Sequence, residues 1–162
     1  MSLIKTIELQ TKRFFVNTSE LLQSRKLRIT KPRTAVLELF QARIGKAISI
    51  KELLDEFQTE IDKVTLYRTL HTFEESDLIH RIFDDSGLEK YALCVGTCED
   101  HHADHVHNHG HIHFKCDKCL ETECISDLKM PTIKLPAGYE TKSTNFVIIG
   151  NCARCTAEIL NP

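Results

Sequence analysis

The sequence predicts an α+β protein in two parts, a helical amino-terminal half ending in a β-hairpin and a small carboxy-terminal α/β unit organised by cysteines. Three observations predict it. Apolar residues from Ile4 to Asp77 recur at three- and four-residue intervals, the period of amphipathic helices. Two alternating segments, "LIHRIFDD" and "LEKYALC", then read as paired strands around an "SG" turn. Two C-x-x-C pairs, Cys116/Cys119 in "CDKC" and Cys152/Cys155 in "CARC", close the chain.

The helical period falls into four segments, 5–25, 32–43, 49–58 and 63–76, and their starts carry signals. Thr30 precedes Pro32, Ser49 is followed three residues later by Glu52 as a capping box, and Asp62 stands ahead of "KVTLYRTLHTF". Helices followed by a hairpin suggest a winged helix-turn-helix. Beyond it, "HIHFKC", "ECISD" and "STNFVIIGNC" are strand-like, and "LPAGYE" is a turn between them. A unit of this size has a thin core, so a structural metal or a dimer interface is the expected supplement.

Composition bounds the function. The 162 residues, 41% hydrophobic, suit one sizeable domain or two small ones. No apolar run approaches the roughly 18 residues of a membrane span, and "MSLIKTIELQTKRFF" lacks a cleavable leader pattern, so a cytoplasmic protein without membrane partners is expected. In that compartment seven cysteines, partly in C-x-x-C pairs, argue for metal or redox use over structural disulfides. Charge divides unevenly: residues 1–82 carry 14 Lys/Arg against 11 Asp/Glu, and residues 83–162 carry 7 against 12. A basic amino-terminal half suits phosphate, although so small an excess also fits an ordinary solvated surface.

Within "DKVTLYRTLHTFEESDLI", Leu66, Leu70 and Phe73 share one helical face and leave Lys63, Tyr67, Arg68 and His71 elsewhere. That is the composition of a recognition helix. Arg and Lys bind phosphates or guanine edges, and Tyr contacts phosphate or a thymine methyl; the competing reading is an ordinary surface helix.

Four thiolates from two C-x-x-C pairs make a closed tetrahedral zinc site, here closing a loop of 32 residues between the pairs. Both pairs stand at the ends of apparent strands, whereas a redox C-x-x-C more usually opens a helix. The stretch from Glu99 to Cys119 also holds seven of the nine histidines. His107, His109, His111 and His113 alternate, which puts them on one face of any strand through them. His101, His102 and His105 read as a solvated loop, and His71 as a surface residue. His80 opens the first hairpin strand and Cys94 closes the second, so the hairpin brings thiolate and imidazole together; Cys124 follows eight residues after Cys116. Such a mixture suits zinc better than manganese, and iron less well.

These residues resemble the ferric uptake regulator family of bacterial metal-responsive repressors. "RITKPRTAVLELF", "AISIKELL", "DKVTLYRTLHTFEESDLIHRI", "KYALC", "HIHFKCDKC" and "GNCARC" occur in the family's order across nearly the whole chain. The resemblance implies a winged-helix DNA-binding domain at 1–83, a wing turn and hinge at 84–91, and a metal-binding dimerisation domain at 92–162. It implies a homodimer that binds an AT-rich inverted repeat in double-stranded DNA when its sensing site is filled, and it implies no small organic substrate. By this resemblance Cys116, Cys119, Cys152 and Cys155 hold structural zinc. Thr30, Arg33, Tyr67 and Arg68, with Lys63, face DNA. His80, Cys94, His109, His111, His113 and Cys124 form the candidate regulatory site.

The zinc-uptake branch is the most similar. Ala47 stands where the iron and peroxide branches usually place a histidine, and Cys124 stands where an acidic ligand is usual. The expected function is therefore a zinc-sensing repressor of metal-uptake genes, with Zn2+ in both sites and Fe2+ or Mn2+ as other occupants of the regulatory one. An iron- or peroxide-sensing regulator is the alternative within the family, and a histidine-rich metal buffer the alternative outside it. An enzyme is not expected: neither H-E-x-x-H nor H-x-E ahead of P-C-x-x-C occurs.

Overall fold

The structure is a computed structural model that describes residues 17–94, 112–125, 128, 131, 133–140 and 144–160. Helix α1 covers Thr18–Ser24, capped by the Asn17 side chain, which accepts from the Ser19 amide at 2.8 Å. The earlier part of the helix expected at 5–25 lies outside the described residues. Helix α2, Lys31–Ala42, starts at Thr30 with Pro32 in its first turn, where a missing N–H costs nothing. Thr30 supplies no side-chain cap bond.

A short strand β1, Ile48–Ser49, leads directly into α3, Ile50–Glu56. The Ser49–Glu52 capping box is complete: Glu52 Oε2 accepts from the Ser49 amide at 2.8 Å, and Ser49 Oγ from the Glu52 amide at 3.2 Å. Helix α4, Lys63–Glu75, is capped by Asp62, whose carboxylate accepts from the Thr65 amide at 3.0 Å. Strands β2, Ile79–Ile82, and β3, Lys90–Leu93, form the wing hairpin in antiparallel register, with β1 on the far side of β3.

One core holds this half together. Val36, Leu37 and Phe40 of α2, Leu53 of α3 and Leu66, Leu70 and Phe73 of α4 meet Ile48, Ile79, Tyr91 and Leu93 of the sheet. Burial of each such side chain contributes about 1.5–3 kcal/mol, so the helical period becomes tertiary stability.

The second sheet comprises β4, Ile112–Cys116, β5, Thr122–Ile125, and β6, Val147–Gly150, in the order β5-β4-β6. The β4–β5 pair is antiparallel and the β4–β6 pair parallel. Helix α5, Ala153–Leu160, closes the described chain. Ile148 and Ile149 on β6 are 45% and 48% exposed, so this sheet buries little apolar surface of its own among the described residues. The two sheets are joined through the backbone: the Ala47 amide donates to Thr122 O, and the Cys124 amide to Gly45 O, each at 2.8 Å.

Candidate metal centres and nucleic-acid interface

The parallel β4–β6 pairing places Cys116 beside Gly150, so both strands run out at one edge of the sheet. Cys116 ends β4, Cys119 lies in the turn after it, Cys152 follows β6, and Cys155 sits in the first turn of α5. The second pair therefore opens a helix instead of only ending a strand. The four sulfur atoms lie within 4.8 Å of one another. Backbone N–H groups of Cys119 and Cys152 draw the Cys116 thiol down to about 6, and the Cys152 amide reaches its sulfur at 3.3 Å. Burial, with the neighbouring thiols, pushes Cys155 up to about 12. One thiolate is thus supported by the protein alone, and Cys155 is the thiol that a cation must hold deprotonated. A closed set of four sulfur donors fits zinc.

The second centre joins the two sheets. His80 on β2 and His113 on β4 are 3% and 4% exposed, and Cys124 on β5 is the residue paired across from His113. His80 Nε2 lies 3.0 Å from His113 Nε2 and 3.6 Å from Cys124 Sγ, and the three donors fall within 4.8 Å of one another. Two imidazole nitrogens and a sulfur this close are a donor set that a single cation can bridge. Burial pushes the Cys124 thiol up to about 12.

The structure separates Cys94 from this trio. Its sulfur touches the opposite ring nitrogen, Nδ1 of His80, at 3.4 Å. One imidazole presents its two nitrogens in divergent directions, so with Nε2 in the cluster the Cys94 sulfur orients the ring. His109 and His111, like His101, His102, His105 and His107, lie outside the described residues.

On α4, Lys63, Tyr67 and Arg68 are all exposed, with the Lys63 ammonium 6.0 Å from the Tyr67 ring centre. Leu66, Thr69, Leu70 and Phe73 on the other side are buried. The core thus fixes the helix and leaves a cationic, aromatic face outward. Thr30 and Arg33 stand at the start of α2, with Arg33 donating to the Arg28 carbonyl at 3.0 Å. His71 lies on the surface, 3.2 Å from Glu75. Sequence reasoning did not find the residues that fasten the sheets beside the second centre, Asp84, Lys90 and Thr122, because no local pattern links them.

A winged helix whose wing shares a donor cluster with a second sheet is the build of a metal-responsive, DNA-binding transcription regulator. The comparisons with known proteins give the family. The model of the ferric uptake regulator family matches residues 24–149, and the chain belongs to that family. The ferric uptake regulation protein of Neisseria meningitidis serogroup C is 29% identical over 154 residues, covering 89% of this chain and 96% of its own. That of Staphylococcus aureus (strain Mu50 / ATCC 700699) is 27% identical over 146 residues, covering 86% and 98%.

Among solved structures, a zinc uptake regulator complexed with zinc and DNA aligns over 99% of both chains, with a TM-score of 0.63 and 21% identity. The Vibrio cholerae ferric uptake regulator aligns over 84% of this chain and all of its own, with a TM-score of 0.52 and 23% identity. These likenesses support the fold. Members of the family are transcription regulators and not enzymes. No helix among the described residues is long and apolar enough to cross a membrane.

Proposed function

We propose that this chain is a zinc-responsive repressor, acting as a homodimer on an AT-rich inverted repeat and controlling metal-uptake genes. The observation that carries the reading is the cluster of His80, His113 and Cys124, which draws donors from the wing and from the second sheet into one site. A cation held there stabilises one relation between the recognition helix and the sheet. DNA affinity then follows the population of that relation. The chain divides at 1–83, 84–91 and 92–162. Zinc is held structurally by Cys116, Cys119, Cys152 and Cys155. It is sensed by His80, His113 and Cys124 with a fourth donor drawn from His109 or His111. Lys63, Tyr67 and Arg68, with Thr30 and Arg33, meet the DNA.

Zinc is favoured because a thiol beside two imidazoles is a borderline-soft donor set. The iron-responsive reading is the second one, favoured by the curated relatives named above as ferric uptake regulation proteins. The test is duplex binding by dimer retaining its structural zinc, across buffered free zinc and, separately, ferrous iron. Zinc is expected to raise affinity roughly 5- to 150-fold, the span of ordinary allosteric coupling. A response to iron with none to zinc replaces this reading with the iron-responsive one.

A further inference from the structure

The segment expected to serve as a hinge carries a buried network that crosses to the second sheet. Lys90 Nζ lies 2.6 Å from Asp84 Oδ2 and donates to Thr122 Oγ1 at 2.9 Å, while Thr122 Oγ1 donates to the same Asp84 oxygen at 3.1 Å. The side chain of Lys90 is 9% exposed and that of Asp84 is fully buried. Thr122 is 2% exposed. Beside them Lys115, 5% exposed, pairs with Asp85. Charges this deeply buried are kept only where partners compensate them, so the arrangement selects one docking of the wing.

Strand register ties this network to the metal centre. Across β4 and β5, Lys115 pairs with Thr122 and His113 with Cys124; across β2 and β3, Ile82 pairs with Lys90 and His80 with Ala92. Residues two apart on a strand share a face and stand roughly 7 Å apart. Lys115 and Thr122 are therefore one pleat from His113 and Cys124 on β4 and β5, and Lys90 lies across from Ile82, one pleat from His80 on β2. The backbone bonds from Ala47 to Thr122 and from Cys124 to Gly45 run alongside it.

We infer that Asp84, Lys90 and Thr122 form a metal-independent clamp that docks the wing on β5 and positions His80, His113 and Cys124 for the cation. The inference rests on the sensing site proposed above. It changes what zinc does: the ion adds bias to a docking the clamp already favours, in place of gathering two freely moving domains. Thr122 is the informative position, since its hydroxyl crosses the boundary while the Lys90–Asp84 pair stays within the wing.

The experiment uses the full chain with its structural zinc retained and the sensing site stripped, comparing the natural chain with T122V, T122S and the paired change D84N/K90M. Residue-resolved amide exchange is read first. In the natural chain the Ala47 and Cys124 amides are expected to be protected without sensing metal. In T122V they exchange at least about tenfold faster, while the amides within the β2–β3 hairpin are unchanged. Zinc affinity at the sensing site, by competition with a chromophoric chelator, is expected to fall about fivefold or more in T122V and to recover in T122S, as reciprocal coupling requires. D84N/K90M, which removes both buried charges together, is expected to repeat the T122V result with its fold retained. Ala47 and Cys124 amides that exchange at the open-chain rate in the stripped natural chain overturn the clamp, as does a T122V protein with unchanged exchange and unchanged affinity. If the natural chain takes up no second zinc, the sensing reading falls, and the exchange results alone still decide the clamp.

Discussion

At the scale of a residue, Cys124 sets the character of the proposed sensing centre. Its thiol is pushed up to about 12 by burial, so in the metal-free protein at neutral pH it holds its proton. A cation entering between His80, His113 and Cys124 must displace that proton. Below the thiol's own range each rise of one pH unit increases the thiolate fraction about tenfold, so the thiol contributes a slope of about one decade of affinity per pH unit. The sign is that binding tightens as pH rises. In C124D the carboxylate, with an ordinary value of about 3.9, is already ionised at neutral pH. Zinc titrations at about pH 7 and 8.5, above the ordinary histidine range of about 6.5, are expected to show the slope reduced by about one in C124D. An identical slope in both proteins shows that Cys124 is packing and not a ligand.

At the scale of elements, helix α4 separates a buried structural face from the exposed one proposed to meet DNA. Leu66, Leu70 and Phe73 are fixed in the core, whereas Tyr67 is 39% exposed and Arg68 is exposed beside it. R68A is expected to cost about 1–3 kcal/mol of operator binding and to relax discrimination if its guanidinium reads a base edge. K63A, by removing the proposed phosphate contact, is expected to weaken binding evenly and lower the salt slope by about 1. Salt-titrated binding to the inverted repeat and to scrambled duplex separates the two, and equal losses on both duplexes for R68A assign it to the backbone. The helices carrying these residues were legible because period and caps agree: Asp62 and Ser49 sit where the sequence places helix starts. Strand β1 was not, since two residues have no period and Ile48 and Ser49 are strand only by pairing with Tyr91 and Lys90. Helix α5 was missed because "GNCARC" reads as the end of a strand, although Cys155 lies in the helix that follows. The grouping of Cys116, Cys119, Cys152 and Cys155 was visible from spacing. The trio of His80, His113 and Cys124 needed the register of two sheets, so the sequence supplied its members and not their division from Cys94.

At the scale of the molecule, the two halves are stabilised by different means. The large apolar core, from Leu22 to Leu93, lies within the winged-helix half. In the second half, Ile112, Cys116 and Cys155 are the buried apolar members among the described residues, and two of them belong to the proposed zinc site. Structural zinc sites supply about 10–16 kcal/mol of apparent binding energy at neutral pH, more than so small a core provides. C155S, which leaves an open position in the tetrahedron, is therefore expected to lose the ion and the order of β4, β6 and α5. The helical core of the first half should persist, because none of its contacts depends on sulfur. Amide exchange tests this directly: in C155S, protection across 112–116 and 147–150 should vanish while that of α4 remains. Far-UV circular dichroism should retain most of its helical signal, and duplex binding should fail because no dimer is held. Simultaneous loss of protection in α4 excludes two separately stabilised halves and makes the protein one cooperative unit, with the Asp84–Lys90–Thr122 boundary carrying the zinc's stabilisation into the winged helix.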